Sequence, residues 1–214
     1  MFEETLPKNA RETLAVLGKS GLLKEAYLVG GTALALRIGH RISVDFDFFT
    51  SKKFSEGMLA RRLADLPIKF QLEKLDWRTI LGYAGRTRFS LFFYDYPWLE
   101  KPNQLYGVKI AGIKDIAAMK MAAVSDRGLK RDFIDLYFII FVEKFMSLGE
   151  ALDLYEKKFK VLRPNLTHIL KSLEYFEDAE NSEMPQMIKK VEWRKVKSFF
   201  GEETKFLAKK FFGI

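Results

Sequence analysis

Residues 27–50 read YLVGGTALALRIGHRISVDFDFFT, and two glycines followed by two aspartates leave this stretch few ways to fold. Tyr27-Leu28-Val29 is a short β-prone apolar run that Gly30-Gly31 stops. Thr32 is placed to cap a short helix over residues 33–37, which Gly39-His40 breaks. Residues 43–49 then return as a second strand. Side chains alternate faces along a strand, so Val44, Phe46 and Phe48 are expected on one face and Asp45 and Asp47 on the other. Two positions along a strand span roughly 6.6 Å, a spacing at which paired carboxylates can grip a divalent cation.

Two readings of the pair compete. A strand can carry a solvated polar face, with both aspartates in water. Aspartate is depleted in strands, however, and this strand is otherwise rich in phenylalanine. Clustered carboxylates repel one another unless a cation offsets them. Backbone N–H groups at a glycine turn and helix start favour a phosphate, and glycine lets it approach closely. A phosphate cradle followed by a carboxylate pair suggests a metal–nucleotide site, and this is the reading we carry forward.

At 214 residues the chain can form one good core, or one domain with a helical extension. Its 48% hydrophobic and 30% charged residues describe an ordinary soluble globular protein. The acidic start Met1-Phe2-Glu3-Glu4-Thr5 is no secretory signal. The most apolar later run, residues 133–142, contains Asp135 and is too short to span a bilayer. No membrane association and a cytoplasmic location are therefore expected. With no cysteine, disulfides and thiolate chemistry are excluded. His40 and His168 have no partners at ligand spacing, which argues against zinc.

The net charge of +8 is uneven. Residues 51–110 hold eleven basic against six acidic side chains and residues 151–214 thirteen against ten, whereas 1–50 and 111–150 are balanced. The excess lies outside the acidic motif, where it could hold a polyanion or simply solvate the surface.

Residues 5–25 suggest an opening helix with Ala10, Leu14 and Leu17 at helical spacing, and residues 54–66 a second with Met58, Leu59, Leu63 and Leu66 inward. FQLEKL, WRTILGY and RFSLFFY read as strands, completing a mixed sheet of about five strands with helices against one face. A loop and short strand over residues 101–112 lead into IKDIAAMKMAAVSDRGLKRDFIDLYFIIF. Its first helix carries Lys120 among small apolar residues, as a snorkelling edge lysine or as a cation for a phosphate. The next opens near Arg131-Asp132, with Asp132 and Asp135 on one face and Arg131 four residues from Asp135. Phe133, Leu136, Tyr137, Ile140 and Phe141 form its apolar stripe. Pairing of these carboxylates with Lys120, Arg127 or Arg131 competes with direct chemistry. Beyond lie a capping box at Ser147 and Glu150, a helix from Pro164-Asn165, an acidic loop over 177–181, and a helix after Met184-Pro185 with Met187, Ile188, Val191 and Val196.

Two separated blocks resemble a known family. Gly30-Gly31-Thr32 followed by Asp45-Phe46-Asp47 resembles the signature of the polymerase-β-like nucleotidyltransferases. Arg41-Ile42-Ser43-Val44-Asp45 is similar to the AbiEii/AbiGii toxin family within that superfamily. Lys114-Asp115-Ile116-Ala117-Ala118-Met119-Lys120, Asp126-Arg127-Gly128 and Arg131-Asp132-Phe133-Ile134-Asp135-Leu136 resemble the family's downstream motifs, and residues 172–180 with Trp193 and Phe199-Phe200 resemble the tail of one of its branches, so the likeness covers about residues 27 to 200.

The resemblance implies an α/β (α+β) polymerase-β-like fold, with a catalytic core over 1–112 and a helical part over 113–214 packed on it. It implies transfer of a nucleoside monophosphate from a nucleoside triphosphate to an acceptor hydroxyl on RNA, a tRNA end or a protein. Asp45 and Asp47 would hold Mg²⁺. Gly30, Gly31, Thr32, Arg41, Ser43 and Lys120 would bind the nucleotide, and Lys120 and Asp132 would join the aspartates in catalysis. A toxin with a cognate antitoxin is implied as well. The superfamily usually places a third carboxylate on a neighbouring strand, and Asp95, at a strand end before Pro97, is the nearest candidate, although an exposed turn aspartate is its commoner explanation; one metal carried by the triphosphate is therefore expected rather than two. Two alternatives stand beside this one. The chain could be an inactive nucleotide- or RNA-binding module, or a glycosyltransferase using its Asp-x-Asp.

Overall fold

The structure is a computed structural model and describes residues 1–160 and 166–213. It divides into two compact units, Met1–Gly112 and Ile113–Ile214.

The first unit is built on a seven-stranded mixed sheet in the order β3-β4-β5-β2-β1-β7-β6. After a 3₁₀ turn at Glu3–Thr5 come α1 (Lys8–Lys19), β1 (Tyr27–Leu28), α2 (Gly30–Ile38), β2 (Phe46–Thr50) and α3 (Glu56–Ala64). Then follow β3 (Phe70–Asp76), β4 (Thr79–Ala84), β5 (Thr87–Phe93), β6 (Asn103–Leu105) and β7 (Val108–Ile110). β1 pairs antiparallel with β2 and parallel with β7, while β2 pairs parallel with β5. The expected five strands become seven because residues 101–112 fold back as the β6–β7 hairpin, whose Gly107 at φ 85° serves the turn.

Period-two alternation places Phe46, Phe48, Ile80, Phe89 and Leu91 in the core, each no more than 1% exposed. α1 packs on β7, α2 on β2, and α3 on β3 and β4. Two expected core positions are outside it: Val44 is 43% and Met58 65% exposed. Val44 precedes the strand, which starts at Phe46 rather than Ser43, so alternation does not yet apply to it.

The second unit is helical among the described residues. α4 (Ile113–Asp126), α5 (Lys130–Tyr137), a π-helical turn at Phe138–Val142, α6 (Leu148–Phe159), α7 (Leu166–Glu174), α8 (Glu177–Glu180) and α9 (Trp193–Phe212) follow in order. α4 packs against α5, α6 and α7, and α9 against α5 and α7. Phe133 is the hub, with ring centroids of Phe176 and Phe200 at 5.1 and 5.3 Å. The capping box forms: Ser147 Oγ accepts from the Glu150 N–H and Glu150 Oε2 accepts from the Ser147 N–H.

The expected helix start at Pro164-Asn165 lies outside the described residues. The acidic loop is instead the short helix α8, held because Ala179 is buried and Glu180 accepts from Trp193 Nε1 and Lys197 Nζ. Residues 184–192 form no helix, and Ile188 is 45% exposed; the last helix begins at Trp193. Phe141, assigned to the α5 stripe, falls in the π-helical turn and is 52% exposed. Among the described residues no helix is long and apolar enough to cross a membrane.

Candidate active site

The glycine turn and Asp47 come together in the first unit, and Asp45 lies two residues before Asp47, just ahead of β2. The Val29 N–H donates to the Asp47 carbonyl at 2.8 Å, tying the end of β1 to the start of β2. Gly30 then turns into α2 with φ 68°, a left-handed conformation that costs a residue with a Cβ about 1–2 kcal/mol. A Cβ there would stand 3.2 Å from Asp47 Oδ2. At Gly31 the constraint is tighter: a Cβ would lie 2.1 Å from Arg41 Nη2 and 3.2 Å from Ser43 Oγ. The turn is therefore bare on one side for Asp47 and on the next for the Arg41 guanidinium.

Thr32 does not cap the helix. Val29 occupies the N-cap position, and the Thr32 hydroxyl donates to the Asp45 carbonyl at 2.5 Å and lies 3.0 Å from Ser43 Oγ. Its side chain is spent on the chain entering β2, which fixes the Asp45 backbone. Arg41 is 4% exposed and donates from Nη1 to the Ile42 carbonyl at 3.2 Å. Gly39, with φ 66°, ends α2 as its sequence suggests. His40, beside it, is fully buried.

Asp45 and Asp47 are both half-buried. Asp45 immediately precedes β2 and Asp47 is its second residue. Asp47 Oδ1 accepts a 2.6 Å hydrogen bond from Ser90 Oγ. Among the described residues no basic side chain pairs with either carboxylate. Two neighbouring half-buried anions without a cationic partner, beside a turn with no side chains, fit a divalent ion with oxygen ligands. Asp95 does not join them. It is exposed, and since Asp47 pairs with Ser90, it lies five residues further along the chain, beyond the end of β5 at Phe93. A cavity of about 230 Å³ lies at the other end of β2, lined by Thr50, Lys24, Lys52, Phe54, Met58 and Arg62.

In the second unit Lys120 is neither snorkelling nor free. It is 5% exposed, and its Nζ lies 2.8 Å from Asp132 Oδ1 and 2.6 Å from Asp135 Oδ2. Arg127 Nε and Nη2 donate to Asp132 at 3.0 and 3.2 Å. Burial alone would raise the Asp132 carboxyl, but the Lys120 and Arg127 charges outweigh it and hold it below the usual carboxylate value. The expected Arg131–Asp135 pair does not form: Arg131 is exposed and Lys120 takes Asp135. A second pair, Lys158 Nζ to Asp115 Oδ1 at 2.7 Å, is fully buried between α6 and α4. Desolvation lowers the Lys158 ammonium below its ordinary value despite Asp115.

Ser90 was not singled out in the sequence. The one signal was its place as the polar residue within Phe89-Ser90-Leu91-Phe92-Phe93, alternating with buried Phe89 and Leu91. Which residue would face it could not be read without the strand order.

The sequence profile described as nucleotidyl transferase AbiEii toxin, Type IV TA system, matches residues 12–78 and 85–208. The chain belongs to the AbiEii nucleotidyltransferase toxin family. Both matched windows hold the residues described above, from Gly30 to Asp47 and from Ser90 to Asp135. This AbiEii chain is 38% identical over 207 residues to an uncharacterized protein of Aquifex aeolicus (strain VF5), covering 94% of this chain and 96% of that one. Its fold is similar to a putative nucleotidyltransferase from H. pylori, with TM-score 0.54, 21% identity and 94% of each chain covered. It is also similar to MenT4, a nucleotidyltransferase toxin from Mycobacterium tuberculosis H37Rv, with TM-score 0.57, 16% identity, and 94% and 86% covered. The AbiEii chain is thus a nucleotidyltransferase of polymerase-β-like fold.

Proposed function

We propose that the first unit transfers a nucleoside monophosphate from a nucleoside triphosphate to an acceptor hydroxyl, with Asp45 and Asp47 holding Mg²⁺. The observation that carries this is a carboxylate pair without a cationic partner, with Asp47 Oδ2 against Gly30 and the Arg41 guanidinium in the space beside Gly31. In the reaction the acceptor oxygen bonds to the α-phosphorus, the bond to the bridging oxygen of pyrophosphate breaks, and the acceptor proton leaves to solvent. When bound, the ion supplies neutralisation of charge on the triphosphate. Gly30 and Gly31 offer backbone N–H groups to phosphate oxygens at the start of α2, with no side chain of their own in the way. Thr32 and Ser43 hold the chain that presents Asp45, and Arg41 adds positive charge beside Gly31.

Asp132 and Asp135 hold Lys120, which supports a positioning role for Asp132. The phosphate-neutralising role of Lys120 rests on the family resemblance. RNA, including a tRNA end, is the acceptor class that the basic surplus over residues 51–110 favours. A cognate antitoxin is the partner that the family description suggests.

The test is incubation with each α-labelled triphosphate, Mg²⁺ and total RNA, beside an Asp45→Ala/Asp47→Ala control. Label in RNA with wild type alone supports transfer to RNA, and label on protein redirects the acceptor. No transfer, with calorimetry still showing Mg²⁺-dependent triphosphate binding, would instead make the chain a binding module.

A further inference from the structure

We propose that Ser90 is a positioning residue of the candidate site: its hydroxyl fixes the Asp47 carboxylate, and its neutrality limits the Asp45–Asp47 pair to one divalent cation. This rests on the metal-assisted reading above. Asp47 and Ser90 are direct partners in the parallel β2–β5 pairing, and Ser90 Oγ donates to Asp47 Oδ1 at 2.6 Å. Ser90 is itself 7% exposed, flanked by Phe89 and Leu91 at 0% and 1%, so its backbone is set by the core and its hydroxyl has little freedom. The other carboxylate oxygen, Oδ2, faces the glycine turn, 3.2 Å from where a Gly30 Cβ would stand. One oxygen is held by the hydroxyl and the other is presented on the side of the turn. The hydrogen bond therefore selects the Asp47 orientation that leaves Oδ2 open to an ion on the side of the glycine turn.

The same position sets the number of ions. A two-metal site places its ions about 3.5–4 Å apart and needs further anionic oxygens bridging or flanking them. The residue on the neighbouring strand in register with Asp47 is the one placed to supply such an oxygen, and here it is a neutral serine whose proton is directed at Oδ1. Asp95, the next carboxylate along that chain, is exposed and lies beyond the end of β5, five residues past Ser90. Among the described residues, no group of three or more His, Cys, Asp or Glu side chains is gathered to hold a metal ion.

The experiment titrates Mn²⁺ alone into the full-length chain and reads free Mn²⁺ by electron paramagnetic resonance, with thermal melting to check that each variant folds. Wild type is expected to take up one ion, lost in Asp45→Ala/Asp47→Ala. Ser90→Ala weakens that binding by about 10- to 100-fold. Ser90→Thr, which keeps the hydroxyl, restores it, and Ser90→Asp takes up two ions. In turnover, Ser90→Ala raises the Mg²⁺ concentration at half-maximal rate while the triphosphate KM at saturating Mg²⁺ holds. Wild-type Mn²⁺ affinity in Ser90→Ala overturns the positioning role, and one ion in Ser90→Asp overturns the limit on stoichiometry. A wild type that binds no Mn²⁺ overturns the metal-assisted reading itself, and this inference with it.

Discussion

A side chain at Gly31 must displace the guanidinium that occupies the space where its Cβ would be. Gly31→Ala must displace Arg41, at a cost of about 1–3 kcal/mol for overpacking a filled site. In an Arg41→Ala background the same substitution is expected to cost clearly less, as a double-mutant cycle by urea denaturation would measure. Equal costs in both backgrounds would contradict the contact. Asp45 behaves oppositely. Its half-buried carboxylate has no cationic partner among the described residues and lies two residues from that of Asp47, so its removal breaks no ion pair. Asp45→Asn is therefore expected to melt no lower than wild type in EDTA while losing Mg²⁺-dependent transfer; a lower melting temperature would show a structural role. At this scale the sequence made residue types legible and their contacts less so. Gly30-Gly31 and Asp45/Asp47 could be read as a cradle and a pair, but Thr32 looked like a cap. The capping motif is local, whereas the Thr32 hydroxyl bonds thirteen residues away in sequence.

The α4–α5 pair is held by charge in a dry place. Lys120 is buried with Asp132 and Asp135, so Lys120→Met would take the shared ammonium from two buried carboxylates, with Arg127 still beside Asp132. Removing one partner of a buried ion pair costs about 3–5 kcal/mol, and urea denaturation of the variant should show a loss of that order. Lost activity in Lys120→Met would accordingly need a folding control before it is read as chemistry. The pH dependence has a defined sign. The folded Asp132 carboxyl lies below its unfolded value near 3.9, because Lys120 and Arg127 overcome its desolvation. Its contribution is complete above about pH 4 and is lost as pH falls through the lowered folded value. Asp132→Asn should thus show a shallower loss of urea stability in acid than wild type; equal slopes would remove Asp132 from the acid transition. The three-residue spacing of Asp132 and Asp135 was legible as one helix face. That Lys120 rather than Arg131 would meet them depends on how α4 packs on α5, which no local pattern encodes.

Over the whole molecule, two kinds of information had different reach. The motif blocks are local, so family membership was readable in the chain itself, from Gly30 to Asp47 and from Lys114 to Leu136. The sheet order was not. The parallel pairings of β1 with β7 and β2 with β5 join residues some eighty and forty positions apart, and they are fixed by crossover packing rather than by strand propensity. Only the second of them reveals Ser90 as a partner of Asp47. The same pairing removes Asp95 from the site, as β5 runs parallel to β2 and carries its far end away from Asp47. The basic surplus over residues 51–110 belongs to the first unit, which also holds the carboxylate pair. Everything proposed for the site depends on attack at the α-phosphorus by an acceptor oxygen, and parallel reactions with α- and γ-labelled triphosphate in Mg²⁺ and total RNA put that step to the test. The expected result is α-label in a macromolecular acceptor, γ-label in an equal amount of pyrophosphate, and neither with Asp45→Ala/Asp47→Ala. Label from the γ-phosphate in the acceptor, or α-label transfer that survives loss of both aspartates, would contradict it.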